Sequence, residues 1–304
     1  MGDERVTVAD PAVTIIIATL GLRERVGSLH AAIESALAQA GVCPTVIVVL
    51  NGRNRDPEVE RALREDARVM LVTREGRGLP AALVEGRKLV TTPWFTALDD
   101  DDLLLPGALQ LRVRALERRV DCAAVFTNGY VRNGAGDSLH VHALHNVNAD
   151  PIRAMLERNW SLPGSWLARS EMIGADVFER MPSFLECTYL GLRIASEHSL
   201  FWIDTPTVVY HTESPGSESR SRAYVLGQVA ALRRIMELNI PDDVRRVLRA
   251  RVASAYHSSS EHERKAGAQR AAWRWHAASL LQPSGWRYLP YTRHLLRDAL
   301  RALS

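Results

Sequence analysis

Four consecutive aspartates, Asp99 to Asp102, follow the apolar run Trp94-Phe95-Thr96-Ala97-Leu98. Two like charges ~4 Å apart repel by roughly 1 kcal/mol in water, and by more in a half-buried place. Such a cluster at the mouth of a strand is most readily explained by a cation that offsets it. A hard cation held through one or two carboxylates, with substrate phosphates filling its shell, is the usual occupant. The plainer alternative is a solvated acidic turn that caps a helix opened by Pro106. Two further polar sites carry chemistry of their own: Asn51-Gly52 after an apolar run, and the Gly-rich stretch Gly76–Gly78. His140, His142 and His145 alternate, but with no carboxylate beside them they are weak metal ligands and fit a loop on the acceptor side at most.

These sites have to be positioned by the elements between them. Val13-Thr14-Ile15-Ile16-Ile17-Ala18 is β-branched and continuously apolar, the pattern of a buried strand, and Val46–Leu50 repeats it. A polar turn over Thr19–Arg25 leads to a helix over Val26–Gln39, striped by Leu29, Ile33, Ala36 and Leu37. Further helices are predicted near Pro57–Glu65, from the Gly-rich loop to about Val90, and over Pro106–Arg119. Strands are predicted at Arg68–Thr73, before the aspartates, and at Ala123–Asn128. Strand–helix alternation implies a mostly parallel sheet with helices on both faces. Ligands then bind beyond the carboxyl ends of the strands. Asn51, Gly76–Gly78 and Asp99–Asp102 all fall at such ends.

The 304 residues are 46% hydrophobic and 24% charged, as in ordinary globular proteins. Apolar runs fall far short of the ~20 residues of a membrane span. No secretory leader is legible at the N-terminus, and Cys43, Cys122 and Cys187 form neither a disulfide framework nor a zinc pattern. A cytoplasmic protein is expected. Charge is uneven: from Arg220 onward there are 16 Lys+Arg against 6 Asp+Glu, although the whole chain carries only +3. An acidic part suited to a cation precedes a basic tail. Lysine occurs only at Lys88 and Lys265, a compositional hint of a GC-rich bacterial source.

In order and spacing the motifs resemble those of GT-A-fold glycosyltransferases of the family-2 inverting type. Ile17-Ala18-Thr19 is similar to the turn ending that family's first strand. Leu98-Asp99-Asp100-Asp101-Asp102, with Leu105-Pro106, resembles its Leu-Asp-x-Asp-Asp segment. Glu186–Ala195 looks like its acidic helix start, and Thr205–Tyr210 with Pro215-Gly216-Ser217 like its closing strand and loop. The resemblance spans residues 12–220. It implies an α/β fold of GT-A (Rossmann-like) type: a mixed, mostly parallel sheet flanked by helices, over residues 1–220, with a basic helical extension over 221–304.

It also implies roles. Asp99 would contact the ribose of a nucleotide-diphosphate sugar, with Thr19, Asn51, Arg77 and Asp100 also on the donor side. Asp101, Asp102 and His211 would hold Mg²⁺ or Mn²⁺; for His211, a solvent-facing histidine is the equal alternative. Glu186 would be the general base that takes the acceptor's proton. The chain departs from the pattern in three places. Leu50-Asn51 stands where the family has two aspartates. Leu83-Val84 replaces an Arg-Asn pair, so that Arg74 or Arg77 would supply the phosphate contact. Cys187 occupies the usual place of the catalytic aspartate, shifting that role to Glu186. Trp160, Trp166 and Trp202 would stack on a sugar or fill the core. Ser217, Ser219, Arg220 and Arg222 would close over the diphosphate or form a linker.

The function implied is metal-dependent inverting transfer of a sugar to an acceptor hydroxyl, in bacterial glycan, glycolipid or natural-product synthesis. The alternative is a catalytically weakened nucleotide-sugar-binding or scaffold protein. Nucleotidyl transfer to a sugar phosphate needs a Gly-rich loop after the first strand, and Thr19-Leu20-Gly21-Leu22-Arg23 has one glycine. The tail reads as helices over Ala223–Leu238, Asp242–His257, Glu261–Leu281 and Tyr291–Leu303. The last is basic and amphipathic, so two uses stay open: peripheral contact with the inner face of a membrane, or packing on the catalytic domain or a second subunit. Its arginines are dispersed, which argues against nucleic acid.

Overall fold

The computed structural model describes residues 9–214 and 221–301. The β-branched runs become strands β1 (Ala12–Thr19), β2 (Cys43–Asn51), β3 (Val69–Arg74) and β4 (Trp94–Asp99). They lie parallel in the order β3-β2-β1-β4. The sheet continues with β8 (Trp166–Arg169), β6 (Cys122–Asn133), β9 (Ser199–His211) and the two-residue β5 (Leu103–Leu104), while β7 (Gly136–Leu139) pairs with β6. Among the described residues only β5, β7 and β8 run against the common direction. The sheet is mixed and mostly parallel, as predicted.

Helices cover both faces. Val13, Ile15, Ile17, Val46 and Val48 face α1 (Val26–Leu37), α2 (Pro57–Glu65) and α4 (Ala108–Glu117). Ile16, Ile47, Val49 and Phe95 face the other way, toward α3 (Leu79–Lys88), α5 (Pro151–Glu157), α6 (Asp176–Glu179) and α7 (Glu186–Glu197). Alternate residues of one strand thus feed two cores, which is why these strands read as continuously apolar. Gly86 of α3 sits where a Cβ would come within 2.4 Å of Ile16, so glycine is needed for the helix to pack this closely on β1.

The tail is helical: α8 (Arg222–Ile235), α9 (Asp242–Lys265), α10 (Gln269–Leu280), a 3₁₀ turn Gly285–Tyr291, and α11 (Thr292–Arg301). Val229, Leu232, Ile235, Val244, Leu248 and Val252 of α8 and α9 join the same apolar cluster as Phe95 and Phe126. The predicted break near residue 258 is absent, and α9 runs on to Lys265. Ser259 donates to Ala255 O (2.9 Å) and Ser260 to Ala272 O (2.8 Å), so these serines satisfy themselves within the helix pair. The break comes at Gly267 instead, with φ +76°. Among the described residues no helix is long and apolar enough to cross a membrane.

Candidate active site

The parallel register brings the strand ends together. Ala18 pairs with Asp99, Thr19 with Leu50, and Asn51 with Arg74. One cleft opens on this rim. Thr19, Asn51, Arg77, Asp99, Asp100, Asp101, Glu186 and His211 line it, together with Arg25, Phe184, Tyr210 and Tyr224. Of the predicted site residues only Asp102 does not line it, its side chain being fully buried. Glu186 opens α7 directly after Leu185, a non-glycine residue at φ +61°. Strained backbone of this kind persists where the surroundings fix it, and it recurs at functional sites.

The aspartates cap no helix. Asp102 N–H donates to Asp99 O (3.1 Å) in a tight turn, β5 follows, and α4 starts at Ala108 behind Gly107 at φ +75°. The predicted start at Pro106 is therefore two residues early, and the capping alternative falls with it. Three of the four carboxylates have partners. Asp100 accepts from Thr19 Oγ1 (2.5 Å) and pairs with Arg25, whose guanidinium also reaches Asp101 at 2.8 Å. Asp102 Oδ1 accepts from the His211 backbone N–H (2.9 Å). Its Oδ2 and the Nδ1 of His211 are both buried without a hydrogen-bond partner.

Burial followed by the neighbouring Asp101 and Asp100 pushes the Asp99 carboxyl up to about 7. Burial raises Asp100 to about 6, against the opposing pull of Arg25. Asp102 is raised well above the carboxylate range, by burial and then by Asp99 and Asp101. Burial and crowding thus disfavour the charged forms of these three carboxyls, and Arg25 offsets only part of that. Among the described residues no group of three or more His, Cys, Asp or Glu forms a ready-made metal cage. A donor set of one or two carboxylates still fits a hard cation whose remaining ligands come from a diphosphate. The unpartnered Asp102 Oδ2 and His211 Nδ1 are potential ligand atoms, and His211 Nδ1 lies 3.9 Å from Asp102 Oδ1.

Cys187 is not poised to act as a base. Burial pushes its thiol well up, and Asp99, Glu186 and Asp102 push it further, so it stays protonated. Arg74 is occupied, donating to Asn51 Oδ1 at 2.6 Å, and it is Arg77 that lines the cleft. Asn51 thereby keeps its amide N–H₂ as the group left to offer a ligand.

Several open alternatives are decided. Trp160, Trp166 and Trp202 are buried in the core, and Trp160 Nε1 donates to Pro151 O (2.9 Å), so none stacks on a ligand in the cleft. Arg222 is the first residue of α8, pairs with Glu263 at 2.6 Å and does not line the cleft. His140, His142 and His145 do not line the cleft. Pro215–Ser217, Ser219 and Arg220 lie outside the described residues.

Sequence reasoning missed Arg25 and the aromatic wall of Phe184 and Tyr224, whose rings meet edge to face at 5.4 Å. Arg25 had one available signal, its place in the loop after the first strand. Tyr224 had none, because it comes from the helical tail.

A family model for glycosyl transferase family 2 matches residues 14–168, just over half of the chain. The protein belongs to glycosyl transferase family 2. The match runs from within β1 to within β8 and takes in Thr19, Asn51, Arg77 and the four aspartates of this glycosyltransferase. Among solved structures, the chain is similar to S. aureus TarS 1–349 in complex with UDP-GlcNAc. The TM-score is 0.57 at 11% identity, over 85% of this chain and 75% of that one. It is similar also to TarS 1–349 alone, with a TM-score of 0.52, 11% identity, and 85% and 74% covered. At that identity the likeness supports the GT-A fold and nothing finer. No curated protein sequence matches.

Proposed function

We propose that the protein is an inverting glycosyltransferase that takes a sugar from a nucleotide-diphosphate donor and passes it to an acceptor hydroxyl. One observation carries this reading. Residues from β1, β2, β4, α7 and the loop before α3 line a single cleft at the carboxyl ends of parallel strands in a family-2 chain. Residues 1–220 form the catalytic domain in this proposal, and 221–304 a helical extension that lends it Tyr224.

Thr19, Asn51 and Asp99 hold the nucleoside end of the donor, and Arg77 reaches the diphosphate. Asp101, with Asp102 and His211, would hold Mg²⁺ or Mn²⁺, which supplies positive charge to the departing diphosphate. Asp100 serves indirectly: pinned between Thr19 and Arg25, it fixes the loop after β1 against the acidic turn. Glu186 accepts the proton of the acceptor hydroxyl as its oxygen bonds to the anomeric carbon. The bond to the diphosphate breaks on the opposite face, so configuration inverts. Phe184 and Tyr224 offer a wall on which a flat ring face can rest. The acceptor belongs to bacterial glycan, glycolipid or natural-product chemistry.

A second reading is favoured by Asn51 and Cys187, which stand where the family has acids: a protein that binds the donor without turning it over. Calorimetric titration of UDP, GDP and dTDP, with and without Mn²⁺, tests the first step. UDP leads because the similar TarS structure holds UDP-GlcNAc. Manganese-dependent binding of one nucleotide, lost in Asp101→Ala, supports the transferase, and failure of all three overturns it. Binding without release of nucleoside diphosphate across an acceptor panel would favour the second reading.

A further inference from the structure

The end of the chain has two faces with different fates. Tyr291, Leu295 and Asp298, spaced four and three residues apart, point inward. Leu295 is fully buried, and Arg264 of α9 donates to Tyr291 Oη (2.9 Å) and pairs with Asp298 (2.8 Å). His276 of α10 meets Thr292 Oγ1 at 2.8 Å. The segment is therefore docked on one side only.

Its other side carries Trp286, Leu289, Arg293, Leu296 and Leu300, spaced alternately three and four residues apart across the 3₁₀ turn and α11. All are exposed, Trp286 at 73% and Leu300 at 68%. Arg293, Leu296, Arg297, Leu300 and Arg301 line one shallow depression on this side. Half of the large hydrophobic residues left exposed among the described ones fall within residues 281–300. A folded domain normally has little reason to gather them in one short stretch of chain.

We infer that this outer face of the 3₁₀ turn and α11 is a docking surface for an anionic lipid bilayer. Charge selects this occupant over a second copy of the chain. Arg287, Arg293, Arg297 and Arg301 accompany the apolar residues, and the segment's one acid, Asp298, pairs with Arg264 at 2.8 Å and lies only at 3.8 Å from Arg297. Two copies placed face to face would oppose arginine to arginine. A layer of lipid phosphates would instead neutralise them while the leucines and Trp286 enter the headgroup boundary. Leu295 and Leu296 are adjacent in this basic amphipathic helix. The fold separates them: Leu295 anchors the helix and Leu296 faces out.

The test is co-flotation of the full chain with vesicles of phosphatidylcholine alone and of phosphatidylcholine mixed with phosphatidylglycerol. Tighter binding to the anionic vesicles, weakening as salt rises, is the expected result. Each arginine removed should weaken it by about fivefold. Leu296→Ser/Leu300→Ser should reduce it by at least about tenfold. These side chains are exposed, so the variant should melt with the parent. Equal affinity for neutral vesicles, or no flotation with either, would overturn the inference. So would sedimentation revealing a dimer that the same double variant dissociates, since the face would then belong to a second copy.

Discussion

At the level of single residues, the acidic turn is set against stability. A carboxyl whose folded pKa lies above its unfolded value contributes stability at low pH, and that contribution disappears as pH rises through the folded value. Asp99, raised to about 7 from an ordinary 3.8, therefore costs stability between about pH 4 and 7 and fully above that range. Asp99→Asn should raise the melting temperature of the ligand-free protein at pH 8 by about 2–4 °C. The gain should fade toward pH 4, where the wild-type carboxyl is protonated in both states. Paired melts of the two proteins across this range decide it, and a gain independent of pH would mean that burial of the charge is not the cause. The same variant should bind nucleotide more weakly. For the base, Glu186→Gln should lower kcat by about 10²–10⁴-fold with donor affinity kept, whereas Cys187→Ser, which replaces one neutral group by another, should leave most of the turnover. The opposite pattern would move the proton transfer off Glu186.

At the level of elements, Arg112 of α4 is fully buried and pairs with no carboxylate among the described residues. It donates to Thr207 Oγ1 from Nε (3.2 Å) and Nη2 (2.5 Å), and to Trp166 O from Nη1 (3.0 Å), joining α4 to β9 and β8. Burial alone lowers its pKa to about 9, so the charge is carried at a cost. Arg112→Ala should lose about 2–4 kcal/mol in urea unfolding through the cavity and the stranded acceptors. Arg112→Met, which refills the volume and removes the charge, should lose distinctly less; equal losses would place the whole effect in the hydrogen bonds.

Elements also explain what the sequence could reveal. β1, β2 and β4 were legible because β-branched runs feeding two cores leave no polar gap. Pro57 at the N-terminal turn and the capping Asp56 likewise announce α2. The run Ser258–Ser260 misled because serine signals a loop unless its hydroxyl finds a carbonyl; Ser259 finds Ala255 O one turn back in α9, and Ser260 finds Ala272 O only once α10 has packed on α9. Asp99–Asp101, Asn51 and Arg77 were legible because strand order alone brings them to one rim. Arg25 and Tyr224 were not: 75 residues separate Arg25 from its partner Asp100, and Tyr224 reaches the cleft from the tail.

At the level of the whole molecule, the helical tail is a structural part of the catalytic unit. Val229, Leu232 and Ile235 of α8 and Val244, Leu248 and Val252 of α9 close the cluster that contains Phe95, Phe126 and Trp166. Arg153 of α5 pairs with Asp243 of α9 at 2.9 Å. Removing residues 221–304 would expose this cluster along one face of the sheet, a patch well beyond what soluble monomers tolerate. The truncated chain should therefore be insoluble or melt without cooperativity. The full chain should unfold in one transition, with far-ultraviolet dichroism and tryptophan emission coincident. Two separate transitions would instead make the tail an independent domain and Tyr224 a lodger in a cleft that stands without it. The pH response follows from the same packing. His257, stacked on Tyr288 at 4.3 Å and edge-on to Tyr291, and His276, beside Tyr291 and Thr292, are held neutral by burial, which lowers both below 6.5. Their contribution is present above pH 6.5 and is lost as the pH falls through the folded values, because the unfolded chain then takes up protons that the folded one refuses. If the tail is part of one cooperative unit, this acid loss should lower the single melting transition as a whole. His276→Gln should blunt the decline without shifting its midpoint at pH 8 by more than the loss of one hydrogen bond.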